Sequence, residues 1–257
     1  MVKEIVVCGD SFGCGSGIPL ESCFEASFGG QVADHFNVPL NVYARSGCCN
    51  YVIYLQVKQV IEDYRAKEKP FVLISTTNHS RFTFPVDTTL GYVNYTLADV
   101  DYDSYTPYSE HTGPGRRPKP IENFNKPKLI SETVSNILYF LEQNPGNLAP
   151  LFYSIKRKIK TVELYFRDLY DDEIKQVNDT GLILLMHNEL KEAGIPHLIM
   201  TPSEHRDRFI DKENFFYNNW GYYSQKYPDL YGSGHCTEVG HMEVAKKIIK
   251  RIEGTSL

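Results

Sequence analysis

A serine closes the triplet Gly9-Asp10-Ser11, directly after the first apolar run of the chain. A histidine stands in Gly234-His235-Cys236-Thr237-Glu238-Val239-Gly240-His241, directly before the last amphipathic run. A serine hydroxyl is a weak nucleophile at neutral pH and needs a neighbouring base. An imidazole, titrating near ~6.5, can take its proton and return it. Ser11 and His235 are therefore the two halves of a nucleophile–base pair, and most of the chain lies between them. Gly9 and Gly13 permit a tight turn out of a strand, and a helix beginning at Ser11 would aim backbone N–H groups at a developing anion. The competing role for Ser11 is to cap that helix. His241 competes with His235 as base, but it lies four residues beyond Thr237, an expected N-cap, and so inside a helix, where packing or surface exposure is the usual role of a histidine.

Two further residues have the chemistry of oxyanion donors. Gly47, in Ser46-Gly47-Cys48, offers a backbone N–H that can be approached closely because there is no Cβ. Asn78, in Thr76-Thr77-Asn78-His79, offers a neutral carboxamide donor. Donors of this kind work by being fixed where charge develops, and losing one typically costs about 10²–10³ in rate.

The elements that must position these residues follow from hydrophobic spacing. Apolar runs predict buried strands at 4–8, 38–43, 71–75 and 196–200. Helical spacing predicts helices over 20–36, 51–67, 173–193 and 237–252, with further helices over 130–141 and 151–170. Successive β–α units imply a parallel sheet with right-handed crossovers. Sites in such sheets form at the carboxyl ends of the strands, where Ser11, Gly47, Asn78 and the His235 turn all fall. The alternation stops after the third strand. Residues 84–127 are rich in Pro, Gly, Asp and Tyr, with a hairpin expected around Gly91, and read as a long insertion. The fold class is thus α/β: one domain over 1–257 carrying an insertion at about 84–127 and extra helices at about 130–170.

Together the four segments resemble the SGNH hydrolases, the GDSL esterase/lipase superfamily. Gly9-Asp10-Ser11 is similar to the first block of that family, with Ser11 as nucleophile. Arg45-Ser-Gly-Cys-Cys-Asn50 resembles the second, with Gly47 as oxyanion donor, and Thr76-Thr-Asn-His79 the third, with Asn78 as the other donor. The Gly234-His235 segment resembles the last block. The resemblance implies a three-layer, flavodoxin-like sandwich around a central parallel sheet, no cofactor and no metal. It also implies a serine ester hydrolase working through an acyl-serine intermediate, with small O-acyl, acetyl-like groups on a carbohydrate or similar small molecule as the expected substrate. Two departures stand out. The family usually has Asp three residues before the histidine, where this chain has Gly232. Asp229 is the candidate acid if the loop bends; a backbone carbonyl at Nδ1, or a dyad without an acid, are the alternatives. The third block has Thr76 and His79 where the family usually has Gly and Asp. Gly232 also favours a different class of protein, a catalytically weak or inactive binding or structural protein on the same fold.

Bulk properties narrow the field further. With 257 residues, 23% charged and 42% hydrophobic, the chain is an ordinary globular one. A net charge of −5 speaks against a nucleic-acid partner, and runs such as Lys156-Arg-Lys-Ile-Lys160 read as solvated faces. No apolar run approaches the ~18 residues that span a bilayer, so no membrane partner is expected. The first ten residues read as a strand and not as a signal peptide, which predicts a cytoplasmic protein. The Gly9–Gly17 loop lacks both the Gly-Lys-Ser/Thr ending of a P-loop and the G-x-G-x-x-G spacing of a dinucleotide fold. Six cysteines, five of them in or beside the site segments, contain no C-x₂-C pair. They read as reduced, buried thiols and not as zinc ligands, with a Cys14–Cys48 redox link as the alternative. The 18 tyrosines, dense around 92–108, give either an amphipathic binding surface or an insertion packed on itself.

Overall fold

The computed structural model describes residues 2–19, 22–46, 48–78, 81–85, 92–96, 171–202, 213–230 and 234–254. Five parallel strands make the central sheet: β1 (Ile5–Gly9), β2 (Leu40–Val42), β3 (Phe71–Ser75), β6 (His197–Thr201) and β7 (Phe215–Tyr217), in the order β2-β1-β3-β6-β7. In chain order this is 2-1-3-4-5, the flavodoxin-like doubly wound arrangement. The order reverses between β1 and β3, so a crevice opens at their carboxyl ends. The chain divides into two compact units, one of residues 1–79 with 178–257, the other of residues 80–177. The first holds the sheet. In the second, β4 (Arg81–Pro85) and β5 (Tyr92–Thr96) pair antiparallel, Pro85 opposite Tyr92, while Gly91, around which a hairpin is expected, lies outside the described residues. The helices expected over 130–141 and 151–170, the basic run at 156–160 and most of the tyrosine-rich stretch lie outside the described residues.

Strand alternation builds two cores, one on each face of the sheet. Ile5, Val7, Phe71, Leu73, Leu198 and Met200 point to one face, where they meet α1 (Phe28–Phe36) and α5 (Glu238–Gly254). Val6, Cys8, Val72, Ile74 and Ile199 point to the other, where they meet α2 (Asn50–Asp63) and α3 (Asp172–Glu192). Near-continuous apolar strands are what a parallel sheet covered on both faces requires, and the result is the three-layer sandwich. No helix among the described residues is long and apolar enough to cross a membrane.

Two elements differ from the spacing. The helix expected over 20–36 begins only at Phe28. Ser27 is extended there, and its Oγ accepts the Gly30 N–H at 3.2 Å as an N-cap. The preceding loop folds down onto this first turn so tightly that a Cβ on Gly30 would lie 2.2 Å from the Glu25 carbonyl. The apolar period before Ser27 therefore belongs to packed turns. The second difference is β7 together with the short α4 (Trp220–Lys226), neither of which the hydrophobic pattern indicates. Their three and seven residues are too few to establish a period.

Gly9 is opposite Ser75 in the β1–β3 ladder, and a Cβ there would stand 2.8 Å from the Ser75 carbonyl oxygen. Gly9→Ala is expected to destabilise the protein by about 1–3 kcal/mol, as overpacking against backbone does. Urea unfolding reads this directly, and a variant as stable as the parent would show that the strand ends can separate freely.

Candidate active site

The chain leaves β1 at Gly9, where ladder pairing stops and the main-chain groups need new partners. Gln56, buried on α2, supplies them. Its Oε1 accepts the Gly9 N–H at 2.7 Å and its Nε2 donates to the Gly9 carbonyl at 3.1 Å. Arg45 N–H donates to the same carbonyl at 3.1 Å. Asp10, also buried, turns its carboxylate back so that Oδ1 accepts the Phe12 N–H at 3.1 Å. A single helical turn follows, Cys14 N–H to Asp10 O at 3.2 Å, and then Ser16 N–H bonds Ser11 O at 2.9 Å. The helix expected to start at Ser11 is thus only a turn. The capping in this turn is done by Asp10, and Ser11 Oγ is buried without a hydrogen-bond partner.

The His235 turn is brought to this same place. Tyr227–Asp229 and His235–Thr237 run antiparallel, with a bridge between Pro228 and Cys236. Asp229 N–H donates to His235 O at 3.1 Å, Thr237 N–H to Tyr227 O at 2.9 Å, and His235 N–H to the Asp229 carboxylate at 3.1 Å. The bend that brings Asp229 beside His235 is therefore present, and Asp229 is buried. Gly17, at φ +95°, makes room for it: a Cβ there would stand 2.8 Å from His235 Cβ and 2.7 Å from the Cys236 carbonyl. The half-buried His235 ring lies with its centroid 5.0 Å from that of Phe12, the residue after Ser11.

Asn78, exposed, follows β3. Thr76 anchors the loop, its N–H and Oγ1 both donating to Met200 O at 3.0 and 2.9 Å. Thr77 is held through its backbone by the Asn50 carboxamide, which accepts the Thr77 N–H at 2.9 Å and donates to its carbonyl at 3.0 Å. Gly47, Gly232 and His79 lie outside the described residues.

Trp220 is a site residue that the sequence pattern does not flag beyond its being the sole tryptophan. Its indole stacks on Phe12 at 4.5 Å and 7°, and its Nε1–H donates to Ser75 Oγ at 3.1 Å. It thus ties the turn after β1 to the end of β3. Gln56 and Asn50 escaped notice for a different reason: common amides on a helix carry no spacing signal.

His241 lies in α5, fully buried, with its ring parallel to that of Phe28 and its Nδ1 accepting the Phe28 N–H at 3.3 Å. Burial pushes its pKa down to about 4, and the neighbouring His235 adds to the effect. It is a neutral packing histidine at physiological pH. The cysteines are all free. Burial pushes the Cys48 thiol up to about 11, that of Cys236 up to about 12, and that of Cys8 further still. These three are protonated packing groups at neutral pH.

Strand order, crevice and converging loops define a doubly wound α/β protein with its candidate site at the β1/β3 switch point. No family model matches the sequence, and no curated protein matches it. A solved structure described as a carbohydrate esterase whose active site displays divergent catalytic and non-catalytic binding functions is similar, with a TM-score of 0.39 and 12% identity, covering 99% of this chain. This chain spans 65% of the length of that one.

His241 gives the fold a pH dependence. The unfolded histidine, titrating near ~6.5, binds a proton that the folded one refuses until about pH 4, so stability is complete above pH ~6.5 and falls as the pH drops toward 4. The slope from one such group approaches ~1.4 kcal/mol per pH unit. In urea unfolding between pH 7 and 4, His241→Gln is expected to lose that slope; an unchanged slope would show that other groups carry it.

Proposed function

We propose that this protein is a serine ester hydrolase working through an acyl-serine intermediate, with small O-acyl, acetyl-like groups on a carbohydrate or similar small molecule as substrates. The observation that carries the reading is the state of Ser11. Its hydroxyl is spent on no cap or turn, because Asp10 takes that task, and it stands at the carboxyl end of β1 beside the residue on which the His235 ring rests.

Ser11 Oγ attacks the ester carbonyl carbon while His235 takes its proton. The N–H groups of Ser11 and Gly47 and the Asn78 carboxamide hold the oxyanion. Collapse expels the alcohol, protonated by His235, and leaves Ser11 acylated. Water then attacks the acyl carbon with His235 as base, releasing the carboxylic acid and restoring Ser11. Asp229 is the acid that holds and stabilises the imidazolium, in place of the residue absent at Gly232; its carboxylate already meets the His235 main chain. That same substitution at Gly232 supports the second reading, a weak or inactive binding protein on this fold.

A fluorophosphonate probe and a short-chain aryl ester separate the two readings. The parent is expected to label and turn over, Ser11→Ala to do neither, and His235→Ala to lose nearly all turnover. Asp229→Asn is expected to lower kcat by about 10⁴, as loss of a triad acid does. Turnover in the parent no higher than in Ser11→Ala would leave only the binding reading standing.

A further inference from the structure

Asn50 and Asp179 form a buried polar pair for which the reaction as proposed has no use. Asn50, the first residue of α2, is 1% exposed, and Asp179, on α3, is 5% exposed. Asn50 Nδ2 donates one hydrogen to Asp179 Oδ2 at 2.9 Å and the other to the Thr77 carbonyl at 3.0 Å. Its Oδ1 accepts the Thr77 N–H at 2.9 Å. Both amide hydrogens are used, and both main-chain groups of Thr77 are satisfied by one side chain.

The carboxylate dictates this geometry. An ionised Asp accepts and cannot donate, so it selects the NH₂ end of Asn50. Turned over, the amide would set its oxygen against the carboxylate and its NH₂ against the Thr77 N–H. The pair therefore presents one donor and one acceptor to Thr77 in a fixed order. Thr77 is the residue before Asn78, so this grip ends one residue short of the expected oxyanion donor.

The placement along the chain adds a second constraint. Residues 80–177 form the other compact unit, so the chain leaves the sheet-bearing unit at His79 and returns at Asn178. Thr77 lies just before the departure and Asp179 just after the return.

We propose that Asn50 is a positioning residue that fixes Asn78 as an oxyanion donor, with Asp179 as the anchor that orients it. The proposal rests on the esterase reading for its kinetic consequence, but not for the clasp itself. A donor must sit where the oxyanion will form, and a misplacement of about 1 Å costs on the order of 10²-fold. Loss of the clasp thus removes stabilisation made in the transition state, and kcat falls while KM does not.

The test uses the full chain and four proteins: the parent, Asn50→Ala, Asn50→Asp and the exchanged pair Asn50→Asp/Asp179→Asn. With the short-chain aryl ester, Asn50→Ala is expected to lower kcat by about 10², with KM within roughly threefold of the parent. Amide exchange at Thr77 is expected to quicken by at least roughly tenfold, as for any main-chain hydrogen bond opened to water. Asn50→Asp sets two carboxylates together and also turns an acceptor on the Thr77 carbonyl; the exchanged pair relieves only the first fault, so its kcat is expected to stay at least about tenfold below the parent. A folded Asn50→Ala with kcat within about twofold of the parent, or an exchanged pair as active as the parent, overturns the proposal. Should Asn50→Ala fail to fold, the exchanged pair still decides. A parent protein with neither turnover nor label brings down the esterase reading, whereas unchanged Thr77 exchange in Asn50→Ala brings down the clasp whatever the activity.

Discussion

A buried main-chain group that loses its ladder partner must find another, and this constraint shapes the carboxyl edge of the sheet. Leaving one such group unpaired costs about 1–3 kcal/mol, so a strand inside a covered sheet cannot simply stop. Two strands end here side by side, and both are met by carboxamides of α2. Gln56 takes the N–H and the carbonyl of Gly9 after β1. Asn50 takes the N–H and the carbonyl of Thr77 after β3. A carboxamide is the side chain that can do this, since it carries a donor and an acceptor together, as a peptide does. The helix serves as a template on which the two loops are set.

The rest of the site follows from that template. With Gly9 held, Asp10 can turn back onto Phe12, and the tight turn that follows leaves the Ser11 hydroxyl unspent. Phe12 then forms a floor for the Trp220 indole and the His235 ring. Trp220 returns to Ser75 through its Nε1–H and closes the path from β1 to β3. The turn after β1 and the turn that carries His235, separated by most of the chain, meet at the Phe12 ring and not through any local motif.

Much of this was legible in the sequence. The parallel strands were, because apolar runs bounded by Gly or Pro have few other uses, and so was the crevice, because strand order decides where loops gather. The bend at Asp229 was legible only as a condition, that the chain turn back on itself, and the pairing of Tyr227–Asp229 with His235–Thr237 brings the carboxylate to the His235 main-chain N–H. The start of α1 was not legible, since packed turns over 22–27 carry the same apolar density as a helix. Gln56 and Asn50 were not legible either. Their partners are 47 and 27 residues away in the chain, and no single-sequence pattern links a helix amide to a strand end.

The two histidines of Gly234–His241 show how six residues separate a half-buried ring at the candidate site from one buried in the core. His235 stands in an extended pairing before the helix, half-buried, where backbone bonds fix its Cα and its ring rests against Phe12. His241 is inside α5, between Phe28 and Trp220, with no solvent on any side. A base must accept charge during its cycle, and burial of that depth disfavours the charged form, which is why the pKa of His241 is low. Its neutrality is also useful to its neighbour. A second imidazolium this close would oppose every protonation of His235, and a histidine that stays uncharged down to about pH 4 raises no such barrier. His241 therefore fills the core beneath the candidate site and bonds the first turn of α1.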